Sequence, residues 1–130
     1  MSVPSEHYEQ VRTVGKFRVT YPGVRIFAIP NGEQRSKTTG AKLKAEGVSP
    51  GIPDLYVPAW RLWIEMKRVK GGVVSAKQKE WHEYLRSIGD TVIVGYGSDH
   101  ALEMIAQFCS PAGGGASNTR RQSTISESKP

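Results

Sequence analysis

The residues best suited to perform chemistry lie close together, in Pro53-Asp54 and in Glu65-Met66-Lys67. The surrounding residues predict two strands, over 54–57 and 62–67, joined by a tight turn. Side chains alternate between the two faces of a strand, so Glu65 and Lys67 share one face of an otherwise apolar strand. Charged groups are costly to bury in such a strand unless they are paired or bind a metal ion.

The predicted hairpin brings a second carboxylate to the same place. A turn centred on residues 59–60 pairs Tyr56 with Trp63 and sets Asp54 opposite Glu65. Opposed residues have Cβ atoms about 4.5–5.5 Å apart, and like charges at that separation repel each other. A shared divalent cation would remove the repulsion, and Mg²⁺ prefers carboxylates, carbonyls and water. A different turn or a bulge would shift this register, and a surface ion pair on an edge strand is the alternative.

The charge balance indicates a polyanionic partner. The 130 residues include 18 Lys and Arg against 12 Asp and Glu, a net charge of +6, and residues 35–44 and 67–79 hold half of the basic side chains. This favours nucleic acid, with a merely basic soluble domain as the alternative. One cysteine and three scattered histidines exclude an intramolecular disulfide framework and a Cys-rich zinc site.

The elements that must position these residues alternate along the chain. We predict a helix over residues 5–19, a strand over 24–29, a weak helix over 38–46, the two strands of the hairpin, a helix starting at Ser75, a strand over 91–96, and a last helix capped by Ser98. The order α-β-(α)-β-β-α-β-α predicts an α/β fold, one mixed sheet flanked by helices. Residues 1–109 would form the domain, and residues 110–130, poor in large apolar side chains, a disordered tail.

Two aromatic predictions concern how this core is closed. Trp60, at the hairpin tip, is expected to be the most exposed tryptophan. The helix after Ser75 is expected to bury Trp81, Tyr84, Leu85 and Ile88, which places His82 on its solvated face.

No apolar run is long enough to cross a membrane and residues 1–20 are rich in charge, so we expect a cytoplasmic protein with no membrane partner.

Several motifs follow one another in a specific order. They are Glu6-x-x-x-Gln10, Pro30-Asn31-Gly32 with Arg35, Gly47-Val48-x-Pro50-Gly51-Ile52-Pro53-Asp54-Leu55, Ile64-Glu65-Met66-Lys67, Gly71-Gly72, and Ser75-x-x-Gln78-x-x-Trp81. Asp54 with Glu65-x-Lys67 resembles the PD-(D/E)XK nuclease motif. The ordered set, over about residues 5–106, resembles the VRR-NUC family of virus-type replication and repair nucleases, in particular its small stand-alone phage and prophage members. The resemblance implies a restriction-endonuclease-like core.

The resemblance also implies residue roles. Asp54 and Glu65 would bind Mg²⁺ or Mn²⁺ with the Met66 carbonyl, and Lys67 would orient or activate the attacking water. Gln78 and Glu6 would complete the catalytic set, Glu6 near the metal. Each of the last two has a structural alternative: Glu6 as a first-turn acid that favours the helix dipole, and Gln78 as the partner of Ser75 in a capping box.

The implied activity is a divalent-metal-dependent DNA endonuclease, selective for four-way junctions or flaps, acting as a homodimer without a small-molecule cofactor. The predicted DNA-binding residues are Asn31, Arg35, Lys37, Lys42, Lys44, Lys70, Lys77 and Lys79. Two alternatives stay open: a non-catalytic basic module that binds nucleic acid, and a sequence-specific or packaging-related phage nuclease.

Overall fold

A computed structural model describes residues 2–30 and 37–110, except for the side chains of residues 37–39. The elements in this part of the chain are α1 (Glu6–Thr20), β1 (Phe27–Ala28), α2 (Lys37–Ala45), β2 (Leu55–Val57), β3 (Leu62–Lys67), α3 (Ala76–Ser87), β4 (Thr91–Tyr96) and α4 (Ser98–Cys109), with a 3₁₀ turn at Pro58–Trp60 between β2 and β3. The predicted order of elements is confirmed. None of the described helices is long and apolar enough to cross a membrane.

The strands form one mixed sheet in the order β1-β2-β3-β4. The first two pairs are antiparallel and β3 pairs with β4 in parallel, connected by α3. The predicted hairpin register is confirmed, since Tyr56 pairs with Trp63 and Val57 with Leu62. The predicted strand over 24–29 is shorter than expected, because only Phe27–Ala28 pair with β2.

One face of the sheet carries the hydrophobic core. Leu62, Ile64 and Met66 of β3 are fully buried there and cluster with Phe17 of α1 and Ile105 of α4. The prediction that Trp60 is exposed was wrong, because the 3₁₀ turn folds its indole back into this core. Only 8% of Trp60 is exposed, and its ring contacts those of Phe17, Tyr21 and Phe108.

Helix α3 covers the opposite face of the sheet at β3. Ser75 begins it with a full capping box to Gln78, as predicted. The predicted apolar stripe was largely wrong, because the helix buries Gln78, His82 and Leu85 while Tyr84 and Ile88 stay exposed. His82 is therefore inside, not on a solvated face. The reason is that α3 packs on a polar part of the sheet, so its inward face is polar as well.

The turn between β4 and α4 also differs from expectation. Gly97 occupies the N-cap with φ +94°, and Ser98 is already the first residue of α4. Ser98 therefore caps nothing, and its buried hydroxyl has no partner among the described residues. The Gly97 N–H instead donates to the carbonyl of Lys67, at 2.8 Å, which ties this turn to the end of β3.

Candidate active site

Asp54 stands just before β2, one residue beyond the last β2–β3 pair. Its Oδ2 accepts a 2.7 Å hydrogen bond from the backbone N–H of Met66. Its side chain also hydrogen-bonds the side chain of Glu65. The hairpin therefore brings the two carboxyl groups into direct contact, at the place where the strand register predicts them.

These contacts shift the proton affinity of Asp54. Burial first, then the negative charge of Glu65, raise the pKa of Asp54 to about 7, and the hydrogen bond to Glu65 acts in the same direction. The Met66 N–H and the charge of Lys67 lower the pKa of Asp54, but by less. Near neutral pH, the metal-free pair thus holds one proton in a substantial fraction of molecules, as like charges in close contact generally do.

Glu65 is 1% exposed and is held by α3 through both oxygens. Its Oε2 accepts from Gln78 Nε2 at 3.2 Å, and its Oε1 lies 3.2 Å from His82 Nε2. Gln78 Oε1 meanwhile accepts from the Ser75 N–H at 2.8 Å. The two sequence interpretations of Gln78 are therefore compatible, because its amide oxygen caps the helix while its amide nitrogen positions Glu65.

His82 is a site residue that sequence reasoning missed. Burial first, then the positive charges of Arg86 and Lys67, lower the pKa of His82. The neutral ring can donate its Nε2 proton to Glu65, a hydrogen bond that fixes the carboxylate. The spacing in the sequence indicates this role, because His82 follows Gln78 by four residues and therefore lies on the same face of the helix.

Lys67 lies on the same sheet face as Glu65 and is only 6% exposed. Its ammonium acts on both Asp54 and His82, lowering the pKa of each. Gly72 lies close to this residue: a Cβ added at Gly72 would lie 2.9 Å from the Lys67 Cβ and 3.1 Å from the backbone N and O of Arg68. A larger residue at position 72 would therefore push against the end of β3 at Lys67 and against Arg68.

The two acids at the start of α1 differ in burial. Glu6 is exposed, and its predicted catalytic and metal-binding role stays a prediction. Glu9 is 3% exposed, and its Oε1 accepts from the Ser98 N–H at 2.9 Å, at the N-terminus of α4. The sequence favoured Glu6 because it stands four residues before Gln10, a spacing that says nothing about which acid is buried.

The structure describes some of the predicted DNA-binding residues and not others. Lys42 and Lys44 are exposed on α2, Lys70 follows β3, and Lys77 and Lys79 are exposed in the first turns of α3. Asn31 and Arg35 lie outside the described residues, as do the side chain of Lys37 and residues 111–130. Their roles stay predictions.

The donor set suits a hard cation better than a soft one. Within residues 2–30 and 37–110, no group of three or more His, Cys, Asp and Glu side chains is arranged to hold a metal ion. The carboxyl pair of Asp54 and Glu65 would thus need a backbone carbonyl and water to complete a coordination shell. Mg²⁺ and Mn²⁺ accept such a shell, whereas structural zinc sites use four nitrogen or sulfur ligands.

Comparison with solved structures identifies the fold that carries these residues. Among solved structures, a chain described as a VRR_NUC domain protein superposes with a TM-score of 0.71 and 25% sequence identity, over 84% of this chain and 91% of that chain. This chain has the VRR-NUC fold. The fold class and the resemblance inferred from the motif order are thereby confirmed. No protein-family model and no curated protein matches the sequence.

Proposed function

We propose that this protein is a divalent-metal-dependent nuclease that hydrolyses phosphodiester bonds of DNA. The observation that carries the proposal is the contact between the Asp54 and Glu65 carboxyl groups beside the buried ammonium of Lys67. The VRR-NUC fold supports a nuclease domain. The same three groups would have little use in a module that only binds nucleic acid, because buried charges are costly to keep.

Each residue of the site has a definite task. Asp54 and Glu65 would hold Mg²⁺ or Mn²⁺, with the Met66 carbonyl as a further ligand. A bound ion supplies Lewis acidity, a more acidic water and charge neutralisation at the phosphate. Lys67 would orient the attacking water and stabilise negative charge that develops on the phosphate oxygens. Gln78 and His82 hydrogen-bond the two oxygens of Glu65, and Asp54 would lose its proton on binding a cation.

The substrate follows from charge and from the family. Exposed lysines on α2 and α3 would contact the phosphate backbone and supply affinity without base recognition. We propose branched DNA, a four-way junction or a flap, as the preferred substrate. Because the described residues hold a single carboxyl pair, symmetric cleavage of two strands needs two protomers, which supports a homodimer. We also propose that the protein acts in the cytoplasm of a bacterial host or a phage-infected cell.

The decisive experiment compares four proteins on three substrates. Wild type, Lys67→Ala, Glu65→Gln and the control Lys16→Ala, which changes an exposed lysine of α1, are incubated with labelled four-way junction, flap and linear duplex in Mg²⁺, Mn²⁺ or EDTA. We expect cleavage by wild type and Lys16→Ala in either metal, none in EDTA, and a loss of about 10²–10³-fold or more in the site variants.

Three results would redirect the proposal. Cleavage in EDTA, or equal cleavage by wild type and Lys67→Ala, would remove the mechanism. Binding without cleavage under every condition would leave a non-catalytic nucleic-acid-binding module. Cleavage of linear duplex at one specific sequence would favour a restriction or packaging nuclease over a junction-selective one.

A further inference from the structure

The sheet face that carries the carboxyl groups continues into a row of aromatic rings. Tyr56 lies two residues after Asp54 on β2 and Trp63 two residues before Glu65 on β3, so all four side chains share one face. The Tyr56 and Trp63 ring centroids are 4.1 Å apart, with planes tilted by 34°. Phe27 of β1 pairs with Tyr56 and meets it edge to face at 5.9 Å. The row runs from β3 to the β1 edge of the sheet.

The inner end of this aromatic row is held in a fixed orientation. Trp63 Nε1 donates to Asp90 Oδ2 at 2.8 Å, and Asp90 Oδ1 accepts from Arg61 Nε at 2.6 Å. Arg61 in turn donates to the carbonyl of Ile88 at 2.9 Å. The indole cannot rotate without breaking this chain of contacts. A ring that is already fixed adds little ordering entropy to the cost of binding a ligand.

The outer end of the row is open and positively charged. Phe27 is 47% exposed and lines a pocket of about 450 Å³ that Arg18 and Arg25 also line. Neither guanidinium forms an ion pair among the residues that the structure describes. An exposed apolar side chain alone would need no explanation. An aromatic ring that lines the same pocket as two arginines suits a nucleotide, because a base can stack on the ring and its phosphates can pair with guanidinium groups.

This pocket lies at a useful distance from the site. Phe27 is one strand across and two residues along from Asp54, which places the two Cα atoms roughly 8 Å apart by standard strand spacings. That length corresponds to roughly two stacked nucleotides at about 3.4 Å each. A DNA strand with a phosphate at Asp54 and Glu65 can therefore reach Phe27 with a base from the next one or two nucleotides.

We propose, on the basis of the nuclease function above, that Phe27 with Arg18 and Arg25 forms a subsite that stacks an unpaired nucleobase next to the cleaved phosphate. Bases inside a duplex are paired and stacked on each other, so they cannot lie on the ring without first being separated. The subsite therefore selects single strands and the unpaired positions at branches. It supplies a direct physical reason for a preference for flaps over linear duplex DNA.

Binding in EDTA tests the subsite without any hydrolysis. Fluorescence anisotropy is measured with a labelled single-stranded oligonucleotide and with its blunt duplex, for wild type, Phe27→Ala, Phe27→Trp and the control Tyr8→Ala. Tyr8 is a matched control because it is 51% exposed but stands in the first turn of α1, whereas Arg18, which lines the pocket, stands in the last turn of that helix. Base stacking contributes about 1–3 kcal/mol per base, so Phe27→Ala should weaken single-strand binding by about 5–150-fold. Duplex binding should change less than about twofold, and Phe27→Trp should bind as wild type does.

A second readout follows the base itself. 2-Aminopurine placed in the single strand should be quenched by stacking in wild type and in Phe27→Trp, and not in Phe27→Ala. Equal losses on single strand and duplex, or single-strand binding by Phe27→Ala as tight as that of Tyr8→Ala, would overturn the subsite. So would a changed oligomeric state of Phe27→Ala in sedimentation with intact single-strand affinity, because Phe27 would then contact another copy of the chain. Failure of the nuclease proposal would look different: wild type would not cut in Mg²⁺, while the preference for single strands would remain.

Discussion

Replacing Asp54 by Asn should stabilise the metal-free protein at alkaline pH while abolishing cleavage. The physical reason is the proton that the carboxyl pair retains. In its protonated form, Asp54 can accept from the Met66 N–H with one oxygen and donate to Glu65 with the other. An asparagine amide has an acceptor oxygen and a donor nitrogen in the same arrangement, so it keeps both hydrogen bonds without adding a second negative charge.

The size and sign of the effect follow from the pKa of Asp54. It rises from 3.8 to about 7 on folding, so the folded state binds this proton more tightly than the unfolded state does. Stability from this group is full below pH 3.8, falls as the pH rises towards 7, and is lost above it. The whole shift corresponds to about 4 kcal/mol at about 1.4 kcal/mol per pKa unit. Between pH 5 and pH 8 the advantage of Asp54→Asn over wild type should grow by about 3 kcal/mol.

Urea unfolding followed by tryptophan fluorescence, in EDTA at pH 5, 6.5 and 8, measures this growth directly. Asp99→Asn is the control, because the Asp99 side chain is 86% exposed and forms only a 3.7 Å contact with Arg12. Its stability difference from wild type should be small and nearly constant with pH. Adding Mg²⁺ should raise the unfolding midpoint of wild type at pH 8, since a bound cation replaces the proton, and should leave Asp54→Asn nearly unchanged.

Two results would refute this reasoning. A stability difference that does not vary with pH would mean that Asp54 is already ionised in the metal-free protein, so that burial and Glu65 do not control its pKa. A loss of stability in Asp54→Asn at pH 8 would mean that the negative charge itself, through Lys67, holds the hairpin together.

Two further substitutions test how the other site residues are positioned. Gly72→Ala would push against Lys67 and should lower the cleavage rate by about 10–100-fold in the junction assay, with little change in DNA affinity. The control is Gly71→Ala, whose new Cβ meets nothing within 4 Å but whose φ is +82°; it should cost about 1 kcal/mol of stability and leave cleavage intact. The reverse pattern would contradict the role of Gly72. His82→Phe should leave Glu65 Oε1 without its ring partner and lower Mg²⁺ affinity or cleavage by about 10–100-fold. His82→Gln should restore part of the lost affinity or cleavage. Equal activity of both variants would show that His82 only fills space.

The hairpin could be predicted from the sequence because its geometry is local. With a side-chain period of two and a short turn, one pairing of Tyr56 with Trp63 suffices to place Asp54 against Glu65, and the structure has that register. Trp60 could not be predicted in the same way. Its burial depends on a 3₁₀ turn and on rings from α1 and α4, which are distant in the sequence.

The error about α3 has a more general cause. Apolar periodicity identifies the buried face of a helix only when the surface beneath it is apolar. Helix α3 packs on the polar face of β3, and it buries Gln78 and His82 because Glu65 offers them hydrogen-bond acceptors. For a helix that follows an acid-x-lysine strand, polar residues spaced three and four apart therefore predict the buried face better than the apolar stripe does.

This placement of α3 also determines where a substrate can approach. The helix closes the sheet face over β3 and β4, where Gln78 and His82 meet Glu65 and Arg86 donates to the Val92 carbonyl of β4. The β1 side of the same face ends in exposed Phe27, so we expect a strand that reaches the carboxyl pair to come from that side. If it does, substitutions at Phe27 should alter which DNA structures are cut, whereas substitutions at His82 should lower cleavage of all of them by the same factor. A His82 variant that changed the ranking of substrates would place the DNA over α3 instead.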